Sequence, residues 1–476
     1  MAKQVINGSD NLPISRPKIN DNFDELYAGK AVADLVATQQ ERPNIVHHIV
    51  VPSPDQISPA PSVLGNATIS LSDEQVFSHL KSIKIVCNTA ATHQIRWLSG
   101  SKPAFDVDGT TAIHTHVPFK KWSEICMRVY ITDPSHITSF GLYIMTDSGL
   151  SVEWIRTTSS HAFQPVKAGW NTFRFGIKEG TSSAWDTGGV HRLRFLVICS
   201  SPTTVYVDHI WAVERPKASI MFVSDHGHKW FGEGTDSDGT PTGGYSDLKA
   251  RGLPMTFACI PGFWPDGGSR PTAEQMRELC NENGNAGSFH SFISEGGSAT
   301  ELTVDEIVSY SNKAIRALKE AGIHWFPFRA AWLQNVSATF IANNTILDDL
   351  FWGIATASST PGIMTDPPNP LWNVKRTAIH GKTEADIDDL FLDLDRFKPL
   401  VLHFTHWVGA GDFNTAPERW EQYLALVDAR IADGSLEFIT PETLFRRNGG
   451  LFVNTGGQQY WSYTDQIDNV ERKIRA

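Results

Sequence analysis

Residues 214–230 read ERPKASIMFVSDHGHKW. The apolar run Ser219–Ser224 stops at Asp225, and Asp225-His226-Gly227-His228 sets an acid and two imidazoles directly after it. A short apolar run bounded by turn residues reads as a buried strand. This stretch is also where the texture of the chain changes. Upstream, residues 45–215 carry short β-rich runs such as SIKIVC, EICMRVYI, FGLYIMT, NTFRFGI, LRFLVICS and TVYVDHIWAV. Gly, Pro, Ser and Asp clusters break these runs at spacings suited to two packed antiparallel sheets. Downstream, over 216–447, strand-like runs (PMTFACI, FWGIAT, PLVLHFTH, SLEFIT) alternate with helical ones (TAEQMRELCNEN, TVDEIVSYSNKAIRALKEAG, APERWEQYLALVDARIAD). That alternation predicts a parallel α/β domain. The expected fold class is therefore multidomain, a jelly-roll-like β-sandwich followed by an α/β unit.

Composition sets the outer limits. At 476 residues the chain exceeds one ordinary core, and 41% hydrophobic with 20% charged residues suits a chain that folds along most of its length. A net charge of −11 without a basic run leaves no footprint for nucleic acid. The first twenty residues lack the apolar core of a signal peptide, and no apolar stretch is long enough to cross a membrane, so no membrane insertion is expected. The five cysteines, Cys87, Cys126, Cys199, Cys259 and Cys280, lie far apart in apolar runs and read as reduced packing residues.

The ends have their own character. Within residues 1–40, Ile19, Phe23, Leu26, Val32, Leu35 and Val36 recur at roughly helical spacing, predicting an amphipathic helix that needs a partner. The tail, 448–476, is Gly-rich and then polar, and reads as polar-helical at its end. Within the sandwich segment, Trp97, Trp122, Trp154, Trp170, Trp185 and Trp211 include candidates for stacking on sugar rings.

Chemistry in parallel α/β domains gathers at the carboxyl ends of strands. Reactive residues fall at four such ends or in the loops that follow them: Asp225, His226 and His228; His290; Arg329 with Trp332; and His406. In LVLHFTHW, Leu402, Phe404 and His406 share one face of a strand and His403 takes the other. His406 is thus the functional candidate of the two, and His403 the packing one.

Taken in order, FVSDHG, LKARGLPMTFACI, EQMRELCNENGNAGSFHSFIS, FRAAW and LVLHFTH resemble the successive motifs of the NodB-like polysaccharide deacetylases, carbohydrate esterase family four. The resemblance implies an irregular parallel β/α barrel and a metal-dependent removal of acetyl groups from sugars. It implies Asp225 as catalytic base, His226 and His290 as metal ligands with Asp225 as a further ligand, Arg329 as the arginine that orients the base, and His406 as the late catalytic histidine. Trp332 implies an aromatic wall facing the sugar. The implied cofactor is a divalent metal, zinc by the nitrogen donors.

Two departures bear on this. His226 stands where the family has a metal-binding Asp, and Ser294 replaces the second histidine of the metal motif. The stretch 357–381 has no clean counterpart to the family's fourth motif, with Asp366 and His380 as weaker candidates. Three readings stay open: a deacetylase with a remodelled metal site, a metal-independent hydrolase, or a carbohydrate-binding domain without catalysis.

Asn20–Tyr27, NDNFDELY, also resembles the N-termini of bacteriophage tail-fibre and tailspike proteins. That implies attachment to phage tail or baseplate proteins, a homotrimer, a place on the virion tail, and bacterial surface polysaccharide as the target. A receptor-binding adhesin and a cell-wall deacetylase without virion attachment are the alternatives.

Overall fold

The computed structural model describes residues 46–51, 62–77, 81–98, 122–145, 153–157, 166–177, 192–225, 244–266, 271–289, 304–329, 353–356, 363–364, 374–406, 408, 415–448, 450–455, 458–464 and 471–475. The expected N-terminal helix lies outside these residues.

The first unit is a pair of antiparallel sheets. Its strands are β1 (Val46–Val51), β2 (Ser62–Leu64), β3 (Ala67–Ser72), β4 (Ser82–Cys87), β5 (Thr92–Leu98), β6 (Glu124–Ile131), β7 (Ile137–Met145), β8 (Glu153–Thr157), β9 (Gly169–Gly176), β10 (Arg192–Cys199) and β11 (Thr203–Glu214). One sheet runs β3-β4-β11-β6-β9 with β1 added on β11, and the other runs β2-β5-β10-β7-β8. Period-two alternation fills the space between them: Ile83 and Ile85, Ile125, Met127 and Val129, Phe140 and Leu142, Phe173 and Phe175, and Phe195 and Val197 share one core. β11 contributes Val205 and Val207, then Ile210 and Ala212. The register slips between Val207 and His209, and this bulge resets the inward parity so that both halves of a long strand face the core. Phe397, from the second unit, packs into the same core.

The second unit opens with β12 (Ala218–Ser224), in which all seven residues are buried. It is followed by α1 (Gly244–Ala250), β13 (Thr256–Cys259), α2 (Ala273–Asn281), β14 (Ala286–Phe289), α3 (Val304–Glu320), β15 (Trp325–Arg329), β16 (Gly353–Thr356), β17 (Ile363–Met364), β18 (Val374–Ala378), α4 (Glu384–Phe397), β19 (Leu400–Thr405), α5 (Pro417–Ala432), β20 (Leu436–Phe438) and α6 (Pro441–Arg447). Parallel pairing passes from β12 through β13, β14, β15, β16 and β18 to β19, and β19 pairs with β12 again. The seven strands thus form a closed circuit of pairings. On the edge of β12 opposite β19, β20 pairs with Ala218–Ile220 and β13 with Val223 and Ser224, so β12 has ladder partners on both edges. A strand with neighbours on both edges and apolar layers on both faces must itself be apolar, which accounts for SIMFVS.

Side chains divide by parity. Ile220, Phe222, Phe257 and Val401 meet Phe391, Tyr423 and Val427 of the helices, while Met221, Val223, Ala258, Phe326, Phe328, Val374 and Leu402 form a separate inner cluster. Local chemistry fixes the helix starts: Thr272 with Gln275 and Thr383 with Asp386 make capping boxes before α2 and α4. β14 needs its glycine, because a Cβ on Gly287 would lie 2.7 Å from Ile323 Cγ2 and 3.0 Å from the His324 carbonyl oxygen.

The tail corrects the sequence reading. It contains β21 (Leu451–Thr455), β22 (Gln458–Thr464) and β23 (Glu471–Arg475), a three-stranded antiparallel sheet where a polar helical end was expected. Its polar texture is a strand alternation: Trp461 and its register partner Ile474 are buried while Lys473 is exposed. Trp461 and Ile474 join the inner cluster beside Leu444 and Phe445 of α6. Phe326, Phe445 and Trp461 meet ring to ring at 5.1–5.8 Å. The inner core is therefore completed by the tail.

Candidate functional site

Asp225 directly follows β12 with the parity of Met221 and Val223, which directs it to the inner side. Arg376 has the inward parity of Val374 on β18. One strand, β19, lies between them: Arg376 is in register with Leu402, and Phe404 with Val223. Arg376 spans that strand and donates from Nη1 to Asp225 Oδ1 at 2.6 Å. Its guanidinium lies over the Phe404 ring, 4.1 Å from the centroid. Asp225 is 3% exposed and Arg376 4%, so this ion pair sits out of bulk water. Buried, charge-assisted pairs of this kind fix orientation strongly.

Two imidazoles complete the rim. His406 follows β19, and His380 follows β18, where Ile379 N–H donates to the Phe404 carbonyl at 3.0 Å and carries the ladder past the strand end. The His380 and His406 rings lie 5.4 Å apart, and His380 also meets the Phe404 ring edge-on at 5.4 Å. Burial first, and then charge on His406, pushes the His380 pKa down to about 4, against the opposing pull of Asp225. Nearby, the Thr405 and Thr415 hydroxyls bond at 2.9 Å.

His403 faces the other way. It is buried against α5 with Nδ1 3.0 Å from the Tyr423 hydroxyl, and burial, followed by charge on Lys382, pushes its pKa down to about 3.

Of the residues singled out in the sequence, Asp225 and His406, and with them the weaker candidate His380, thus come to one rim. His226, His228, His290, Ser294, Trp332 and Asp366 lie outside the described residues, and of Arg329 only the backbone at the end of β15 is described. Arg376, which the sequence reading did not single out, is the guanidinium on Asp225. Its signal was weak: VKRTA is short, and only the parity shared by Val374 and Arg376 marks the arginine as inward. His380 gains its place from the ladder extension, which no sequence pattern announces. Among the described residues this rim does not assemble three metal-ligating side chains, so the donor set implied for zinc rests on His226 and His290.

The sandwich offers a second feature. Across one sheet, Lys84, Tyr206, Tyr130 and Trp170 are register partners on four successive strands. Tyr130 lies edge-on between Tyr206 at 5.8 Å and Trp170 at 5.4 Å. Phe77, 39% exposed, meets Trp170 at 5.6 Å, with Arg128 4.0 Å above its ring. Of the other tryptophans, Trp122 and Trp211 are buried, while the side chains of Trp97, Trp154 and Trp185 are outside the described residues.

No family model matches the chain, and no curated protein matches it. Among solved structures, a deacetylase titled T48 deacetylase with substrate is 12% identical over 48% of this chain and 91% of its own, with a TM-score of 0.29. A carbohydrate-binding module from the β-sandwich superfamily is 18% identical over 33% of this chain and 58% of its own, at 0.24. A family 11 carbohydrate-binding module from Clostridium thermocellum is 10% identical over 36% and 97%, at 0.26. Likenesses at these TM-scores assign neither a family nor an activity, and the chemistry rests on the side chains.

Proposed function

We propose that this protein is a hydrolase that removes acetyl groups from a polysaccharide, working at the rim of an irregular β/α barrel of the NodB type. The observation that carries the reading is the buried Asp225–Arg376 pair sharing a rim with His380 and His406. In the proposed reaction, Asp225 takes a proton from water as its oxygen bonds to the acetyl carbonyl carbon. The bond from that carbon to the sugar oxygen or nitrogen then breaks, the leaving atom takes a proton, and acetate departs. Arg376 holds Oδ1 so that the carboxylate meets the water in one orientation. His406, which follows β19 on the same rim 5.4 Å from His380, delivers the proton to the leaving atom. A zinc-class ion held by His226, His290 and Asp225 would add Lewis-acid polarisation of the carbonyl.

Trp170 and Tyr130, the partly exposed aromatics of the row across the sandwich sheet, support a hold on the polysaccharide chain, since indole and phenol rings pack on sugar C–H surfaces. The Asn20–Tyr27 segment supports a homotrimer on a virion tail, joined to tail or baseplate proteins and acting on bacterial surface polysaccharide.

The test is acetate release from acetylated capsule and O-antigen preparations, with and without added zinc. Wild-type protein should release acetate, and Asp225→Asn should lose roughly 10²- to 10⁴-fold in rate while still binding the polymer. Binding without release by the wild type would favour an adhesin instead.

A further inference from the structure

Away from the Asp225 rim, the described residues gather one group of three metal-ligating side chains, Cys87, His93 and Cys199. Cys87 ends β4 in one sheet of the sandwich. His93 on β5 and Cys199 at the end of β10 belong to the other sheet, where β5 and β10 are paired neighbours. One ligand atom from each lies within 4.8 Å of the other two, and all three side chains are buried. The Cys87 and Cys199 sulfurs are within hydrogen-bonding reach of each other, and both thiols are free.

The histidine is oriented as a ligand. His93 Nε2 lies 3.0 Å from the Thr89 carbonyl oxygen, which only accepts, so Nε2 carries the proton and Nδ1 the lone pair. Nδ1 is buried and makes no hydrogen bond. A buried acceptor left this way costs free energy unless something binds it. Donating one ring N–H to a main-chain carbonyl is how proteins commonly fix the tautomer of a metal-bound imidazole. The turn between β2 and β3 passes close to the ring. A Cβ at Gly65 would fall 3.1 Å from Nδ1 and 2.9 Å from the Thr92 carbonyl oxygen, and φ there is +100°, so only glycine suits the position.

We propose that Cys87, His93 and Cys199 bind a zinc-class divalent cation that clips the two sheets of the sandwich together. Two sulfurs and one imidazole nitrogen are a donor set that zinc favours, leaving one tetrahedral position for a water or main-chain oxygen. On binding, both thiols give up their protons to solvent and become thiolate ligands. The site is independent of the Asp225 rim, whose donors are nitrogen and oxygen alone.

Cobalt(II) loading of the reduced full-length chain tests this, because a thiolate-to-cobalt charge-transfer band in the near ultraviolet reports sulfur ligation and a nitrogen and oxygen site cannot produce it. The band is expected in the wild type and in Asp225→Asn. It should also persist in each of Cys126→Ala, Cys259→Ala and Cys280→Ala. The Cys87→Ser/Cys199→Ser variant should lose it, together with one equivalent of zinc by elemental analysis. Absence of the band from the wild type would overturn the proposal whatever the variants do, and so would its loss in Cys126→Ala, Cys259→Ala or Cys280→Ala variants that stay folded. A Cys87–Cys199 disulfide found by mass mapping of non-reduced, zinc-treated protein would do the same.

Discussion

Arg376 reaches from β18 across β19 to hold Asp225 at 2.6 Å, and both side chains are almost wholly buried. Removing one partner strands a charge in a medium that solvates it poorly, at a cost of about 3–5 kcal/mol. Arg376→Met should therefore lower the stability of the α/β unit by about that amount in urea denaturation. Arg376→Met/Asp225→Leu, which leaves no charge behind, should recover most of the loss. A double variant as unstable as the single one would show that the guanidinium acts through packing on Phe404 instead.

The fold was legible because its decisive strands are chemically unambiguous. SIMFVS is apolar on both faces, and the sandwich strands alternate cleanly around inward Ile, Phe and Val. What escaped were strands built from poor strand formers. AGSF is held by the close approach that Gly287 permits, and WFPFR carries Pro327, which cannot donate to a ladder. VKRTA looks like a polar linker until its neighbours are known. The site followed the same division. Asp225 and His406 end recognisable strands, whereas Arg376 and His380 depend on register between strands far apart in sequence. The tail misled because a short polar strand and a polar helix look alike when only Trp461 and Ile474 mark the buried face.

Two histidines tie stability to pH. Burial lowers His403 to about 3 and His380 to about 4, while in the unfolded chain each titrates near 6.5. Between those values the unfolded state binds more protons than the native one, so stability rises with pH. Their contribution is fully present above about pH 6.5 and is lost as pH falls toward the folded values. In a urea-denaturation series below pH 6.5, His403→Asn should flatten the dependence by up to about 1.4 kcal/mol per pH unit. An unchanged slope would mean that His403 does not stay neutral in the fold.

The aromatic row makes a separate statement about binding. Trp170, partly exposed, stands at its end on β9, the last strand of that sheet among the described residues. Trp170→Ala should weaken retention on a polysaccharide affinity gel roughly tenfold, equivalent to about 1.4 kcal/mol, without changing the acetate-release rate on short acetylated oligosaccharides. Equal losses on long and short substrates would place Trp170 outside the binding face and in the fold.

The tail bears on stability because it fills the inner core. Trp461 is 6% exposed and meets Phe326 and Phe445, one from β15 and one from α6, so its indole joins the tail to the strand circuit. Replacing a buried tryptophan by alanine removes its apolar burial and leaves a cavity that its neighbours only partly close, a loss of about 3–5 kcal/mol. Trp461→Ala should therefore destabilise the α/β unit by that amount. Tryptophan fluorescence does not isolate the effect, so calorimetry is the measurement to use. A loss below about 1 kcal/mol would mean that the tail sheet rests on the unit without completing its core.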